Sequence, residues 1–313
     1  MNKLNKIIFY NFPVLLFSLS LVAYSCKDDI TKDNDDNTVD TLFKTAEVAG
    51  TVEYDAINEA SGLVNSRHNP DLFWVNNDGG IGDENRIFLM DKNGKHKAEY
   101  WLDGVINIDW EDISIGPGPE DNINYIYVGQ IGDNQAQFDT RNIFRFPEPS
   151  PDANQFPLTD TITGIETITY VYPDGPRDAE SLFIDPLTKD IYIISKRESP
   201  EINIYVAKFP QSLSDTITLE QVGTLPFTQA TAGDISSDGS EVLIKNYTNI
   251  YYWKRTAEES VSEALAKTPT NIPYLLEPQG EAIAFVLDGN GFYTVSEEPN
   301  NIEAVLYFYE RKD

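Results

Sequence analysis

DAESLFIDPLTKDIYIISKR, residues 178–197, places two carboxylates, Asp178 and Glu180, ahead of a short apolar run. A Pro/Asp turn follows, then a second β-rich run that ends in Lys196 and Arg197. That is a β-hairpin with its charges gathered at one end. The same unit recurs as EASGLVNSRHNPDLFWVNND (59–78), DWEDISIGPGPEDNINYIYVGQ (109–130), TAGDISSDGSEVLIKN (231–246) and QGEAIAFVLDGNGFYTVSEE (279–298). The copies are registered on Leu63, Ile113, Leu182, Ile235 and Ile283. A strand-built repeat of roughly 50 residues is the signature of a β-propeller, in which each repeat is one blade that cannot bury its faces alone.

Two further β-rich runs follow each hairpin, which predicts an all-β propeller of four-stranded blades. Third strands are expected at 86–91, 142–146, 203–209, 250–254 and 305–311, and fourth strands at 97–102, 166–172, 217–225 and 271–276. The last repeat runs out of chain before its fourth strand. The alternating segment TAEVAGTVEY (45–54) supplies it, so the ring closes on an N-terminal strand and holds five blades. Six is the alternative, because the Pro-rich excursion 146–157 lengthens the second repeat; residues 257–267 have a helical pattern.

Ahead of the ring, Lys3 and Lys6 precede an apolar run over 7–24, which reads as a secretory signal over 1–25. Cys26, the only cysteine, stands directly after it and is the expected lipidation site, although Ala23 and Tyr24 are unusual in a lipobox. Residues 26–44 are too polar and acidic to pack, and read as a flexible lipid-anchored tether to a propeller domain over 45–313. The Cys-Lys-Asp-Asp start resembles the export signal of Bacteroidota surface lipoproteins, which implies an outer-membrane, surface-exposed protein.

With 51 acidic residues against 23 basic and a net charge of −28, the surface repels phosphate backbones, so nucleic acid is excluded as a partner. One cysteine and two histidines exclude an internal disulfide and any Cys- or His-rich metal centre. Chemistry must run on carboxylates, amides, Lys, Arg and Tyr. His68 lies in a turn on the face away from the charges and His96 at the periphery, so neither is expected to be catalytic. Trp110, in DWED, is expected to pack between blades or to stack on a sugar.

In a propeller the segments entering the inner strands and those leaving the second strands meet at one mouth of the central channel. Entering are Glu59, Asp109, Glu111, Asp112, Asp178, Glu180, Asp234 and Glu281; leaving are Asn76, Asn77, Asp78, Gln130, Asp133, Asn134, Lys196, Arg197, Lys245, Asn246, Glu297 and Glu298. Such a carboxylate ring is repulsive unless lysines, protons or a cation offset it. Carboxylates mixed with amide oxygens suit calcium, and Glu59, Asp112, Asp178 and Asp234 are the expected ligands. Asn76, Asn77, Lys196, Arg197, Lys245, Asn246 and Glu297 are expected to meet an extracellular ligand, an acidic glycan or phosphoester, since a cation beside Lys196, Arg197 and Lys245 favours an anionic group. Glu111, Glu180 and Glu281 are the candidates if the mouth hydrolyses a phosphoester or glycan instead. A third expectation, a scaffold subunit of an envelope complex, would use the ring's edges. A monomer is expected.

The segments SGLVNSRHNPDLFWVNND, DWEDISIGPGP, YIYVGQIGDN, IFRFPEP and DGPRDAESLFIDP together resemble a widespread set of secreted bacterial β-propeller proteins of unassigned role. That resemblance implies the fold and carries no catalytic assignment. More loosely the chain looks like the calcium-dependent phytase-like and gluconolactonase-like propellers, without their full metal motifs.

Overall fold

The computed structural model describes residues 42–79 and 84–312. The expected signal segment, Cys26 and most of the tether lie outside the described residues. Five sheets, antiparallel through their first four strands, form a closed ring. Their innermost strands are Ala60–Asn65, Asp112–Pro117, Ala179–Ile184, Ala230–Ile235 and Gly280–Phe285, which we number blades 1 to 5. Each inner strand packs against the inner strands of both neighbouring blades.

Glu47–Thr51 pairs antiparallel with Val305–Glu310 and completes blade 5, closing the ring as the incomplete last repeat requires. The packing starts earlier than Thr45: Phe43 bridges to Arg311 and is fully buried against Phe292.

The two irregular stretches have physical explanations. The Pro-rich excursion ends in Leu158–Ile162, which reaches back to lie parallel to His96–Leu102 as a fifth strand of blade 1. Residues 217–225 divide: Ile217–Thr218 joins blade 2 in parallel, and Glu220–Leu225 is the fourth strand of blade 3. Neighbouring blades are thereby cross-linked at their outer edges, which accounts for the long second repeat without a sixth blade. The helix is shorter than its pattern, Val261–Leu265, and starts at a capping box in which Ser260 and Glu263 each receive the other's backbone amide.

Between blades the core is aliphatic and aromatic. Trp74 and Trp110 are fully buried between blades 1 and 2, so Trp110 packs and does not reach a sugar. Two aspartates do between blades what strand pairing does within them. Asp112 accepts from the amides of Ile113 (2.9 Å) and Leu182 (2.8 Å), and Asp234 from those of Ile235 and Phe285 (both 2.8 Å). On the turn face, Asp185 of blade 3 holds Arg255 of blade 4 through two bonds of 2.8 and 3.1 Å, with both side chains almost wholly buried. Among the described residues no helix is long and apolar enough to cross a membrane.

Candidate functional site

The mouth is built by a repeated backbone irregularity. In blades 1, 3, 4 and 5 the register between inner and second strands shifts at one residue: Ser61, Glu180, Thr231 and Glu281. Blade 2 reaches the same placement with Glu111, whose amide bonds the Gly129 carbonyl at 2.9 Å just before its inner strand begins. A bulge residue is released from the ladder and its side chain is re-aimed. Glu111, Glu180 and Glu281 are therefore structural equivalents, brought to the ring centre by the same device, and all three are buried.

By this pairing Gly233, not Ile235, is the equivalent of Leu63, Leu182 and Ile283, which corrects the expected register of blade 4 by two residues. The cause is local: a Cβ at 233 would overlap the Ser181 hydroxyl of blade 3, so this copy carries no apolar marker there. Asp234 consequently sits deeper than the mouth.

Carboxylates gather in two groups that share Glu111. One oxygen each from Asp78, Asp109 and Glu111 lie within 4.8 Å of one another, and so do oxygens from Glu111, Asp178 and Glu180. A side chain at Gly132 would overlap the Glu111 carboxylate, so the glycine keeps this space open. The two groups differ in their counter-charge. Lys196 forms an ion pair with Glu180, and Arg197 forms one with Asp178, which also accepts from the Asp133 amide at 2.7 Å. No cationic side chain of the described residues forms an ion pair with Asp78, Asp109 or Glu111.

Their protonation follows from this. Burial first, then Asp109, Glu59 and Glu281 nearby, push the Asp78 carboxyl up to about 7 against the opposing Gly79 amide. Burial pushes Asp109 up to about 6, and burial with Glu281 and Asp78 pushes Glu297 up to about 8. Burial and the charge of Glu180 raise Glu111 well above the carboxylate range; Glu180 is also raised by burial, despite Lys196. Carboxyl groups raised in this way stabilise the fold while protonated, and that contribution is lost as pH rises through their folded values. Metal-free protein is accordingly expected to melt at a lower temperature at pH 8.5 than at pH 5.5, roughly the window between unfolded carboxyls near 4 and these groups. Thermal unfolding in chelator at constant ionic strength measures this, and a profile rising across that window would contradict it.

The remaining expected residues are placed as follows. Lys196 also donates to the Tyr247 hydroxyl (3.0 Å), which in turn donates to Glu281 (2.8 Å). Tyr247 was not expected; it follows Lys245-Asn246 directly, and an aromatic beside two polar residues carries no signal of its own. Lys245 is fully buried, bonded to the Gly280 carbonyl and to Thr231 (3.2 Å). Burial lowers its pKa, opposed by Glu277, another unexpected residue, which accepts from Thr294 (2.7 Å) and Tyr274 (2.9 Å). Asn246 caps its own turn, accepting from Thr248 and Asn249 amides. Of the four expected metal ligands, only Asp178 belongs to a carboxylate group; Asp112 and Asp234 are engaged as clasps between blades, and Glu59 lines the cavities beside the mouth. Glu297 lines one of these cavities and Asn77 the other, while Asn76 is buried behind them.

His68 lies on the opposite face, its ring 3.7 Å from the buried Glu148, and His96 stacks on Tyr54 at the rim of blade 1. Neither protein-family models nor curated proteins match the chain. The arrangement is that of a propeller whose centre carries acidic groups suited to an ion or ligand.

Proposed function

We propose that the ring is the recognition domain of a lipid-anchored, surface-exposed envelope protein, that its mouth holds one hard divalent cation, calcium foremost, and that it binds an extracellular ligand beside that ion. The location rests on the basic-apolar start, Cys26 and the acidic segment after it. The single observation that carries the site is the convergence of Asp78, Asp109 and Glu111 with no ion pair among the described residues, opposed only by more distant charges such as Arg141 on Asp109 and Lys196 on Glu111. Three like charges this close, one buried and two half-buried, need an outside counter-charge or protons. Oxygen-only ligands with adaptable geometry favour calcium, and Asp78, Asp109 and Glu111 would hold it. In the neighbouring group Lys196 and Arg197 already supply that charge, so the ion belongs with Asp78.

Thermal unfolding of the intact protein in chelator, then in calcium or magnesium, tests this. An ion that binds only the folded state stabilises it by about 2.7 kcal/mol at a hundredfold excess over its dissociation constant. A clear rise in Tm with calcium is expected, kept in Asp178→Asn and lost in Asp109→Asn. The absence of any shift with either ion would remove the proposal, and loss of the shift in Asp178→Asn alone would move the ion to the other group.

A further inference from the structure

We infer that the ligand of this mouth presents a primary ammonium group, as an amino sugar or a polyamine does, and is not an acidic glycan or a phosphoester. The inference rests on the reading of the mouth as a ligand site, but not on the ion. Two cavities of about 280 and 520 Å³ open beside the mouth and share Asp55, Asn58 and Glu59 in their walls. One continues to Asp78 and Glu84, the other to Glu297 and Glu298, and each is of a size suited to a small ligand. Among the described residues the one cation in their linings, Arg86, is occupied by ion pairs with Glu84 and with Glu99 (2.6 Å).

A second observation is independent of charge count. Glu281 is 4% exposed and lines neither cavity, but it stands near enough to Asp78 and Glu297, which do, for its charge to raise the pKa of both. One of its oxygens accepts from Tyr247, and the other has no hydrogen-bond partner among the described residues. Asn76 Oδ1 and Asn77 Oδ1 are likewise buried without a donor. These unfilled atoms are all acceptors. A buried acceptor left unpaired costs about 1–3 kcal/mol, and Asn77 brings one to the wall of the smaller cavity, so a guest that brings donors is favoured there. An ammonium brings three and no acceptor.

An anionic guest would set acceptor against acceptor and charge against like charge. The cations that might have received it are spent: Lys196 on Glu180 and Tyr247, Arg197 on Asp178 and Asn134, and Lys245 inside the protein.

Titration calorimetry of the calcium-saturated intact protein tests the inference with spermidine and glucosamine, against glucose, N-acetylglucosamine and glucuronate. One amine is expected to bind at least about tenfold more tightly than every neutral or anionic probe, a difference of about 1.4 kcal/mol. Spermidine or glucosamine as the tighter of the two assigns the source of the ammonium. Glu281→Gln and Glu297→Gln should each weaken the amine while a cooperative thermal transition persists, which shows that the variants are folded. Tighter binding of glucuronate, no amine binding, or amine affinity unchanged in both variants would overturn the inference. If the calcium shift stands when amine binding fails, this inference alone is lost. Amine binding by a protein that ignores calcium removes only the ion.

Discussion

Glu111→Gln is expected to raise the stability of the metal-free protein at pH 8 and to abolish its response to calcium. The glutamate is nearly inaccessible, forms no ion pair, and sits where both carboxylate groups meet. Keeping it charged there costs free energy, which is why burial and Glu180 raise its pKa. An amide of the same shape removes that cost and offers donors to Asp109 and Asp178. The gain expected is about 1–3 kcal/mol, the range for relieving an unsatisfied buried polar group. At about 2–4 °C per kcal/mol, Tm rises by several degrees. The calcium-dependent rise disappears, because the shared ligand is gone. Differential scanning calorimetry in chelator and in calcium measures both effects in one variant. A metal-free protein destabilised by the change would mean that Glu111 is structural, and an intact calcium shift would place the ion elsewhere.

The largest loss of stability should come from the other face of the ring. Asp185→Ala leaves the Arg255 guanidinium, 3% exposed at its side chain, without the carboxylate that meets it at two points. Breaking one partner of such a buried pair costs about 3–5 kcal/mol. The Leu187 amide and the Thr188 hydroxyl lose an acceptor as well. Tm is expected to fall by roughly 10 °C, taking about 2–4 °C per kcal/mol. Replacing the arginine too, as Asp185→Ala/Arg255→Met, should recover most of the loss, since no charge is then stranded. Denaturant unfolding of the two single variants and the double variant closes the cycle. A double variant as weak as Asp185→Ala would show that the turn, not the ion pair, carries the stability.

The hairpin repeat and the incomplete last repeat were enough to read the five blades and their closure, because both are consequences of period-2 patterning and of chain length. The convergence of Glu111, Glu180 and Glu281 was legible for the same reason: each stands two residues before the apolar marker of its copy, Ile113, Leu182 or Ile283. Blade 4 was misregistered because Gly233 replaces the apolar marker where another blade's serine approaches. The strand Leu158–Ile162 was hidden by its own composition, since Thr-Asp-Thr on an outer edge lacks an apolar face. Partner choice was the least legible property. That Asp112 spends its oxygens on backbone amides, or that Lys245 turns inward, depends on neighbours more than 30 residues away in the chain.

The pairing of Glu47–Thr51 with Val305–Glu310 also dictates an order of events during synthesis. The first strand to emerge must wait for the last one, so an incomplete nascent chain holds an unsatisfied β-edge at its leading end. Blades 1 to 4 can condense in the meantime, each on local hairpins, but the ring cannot shut. Long-range pairing of this kind is slow, and open strand edges invite association between chains. Release of the complete chain is thus the step that converts an aggregation-prone arc into a sealed ring, and a truncation that removes Val305–Glu310 should yield insoluble protein rather than a four-bladed remnant.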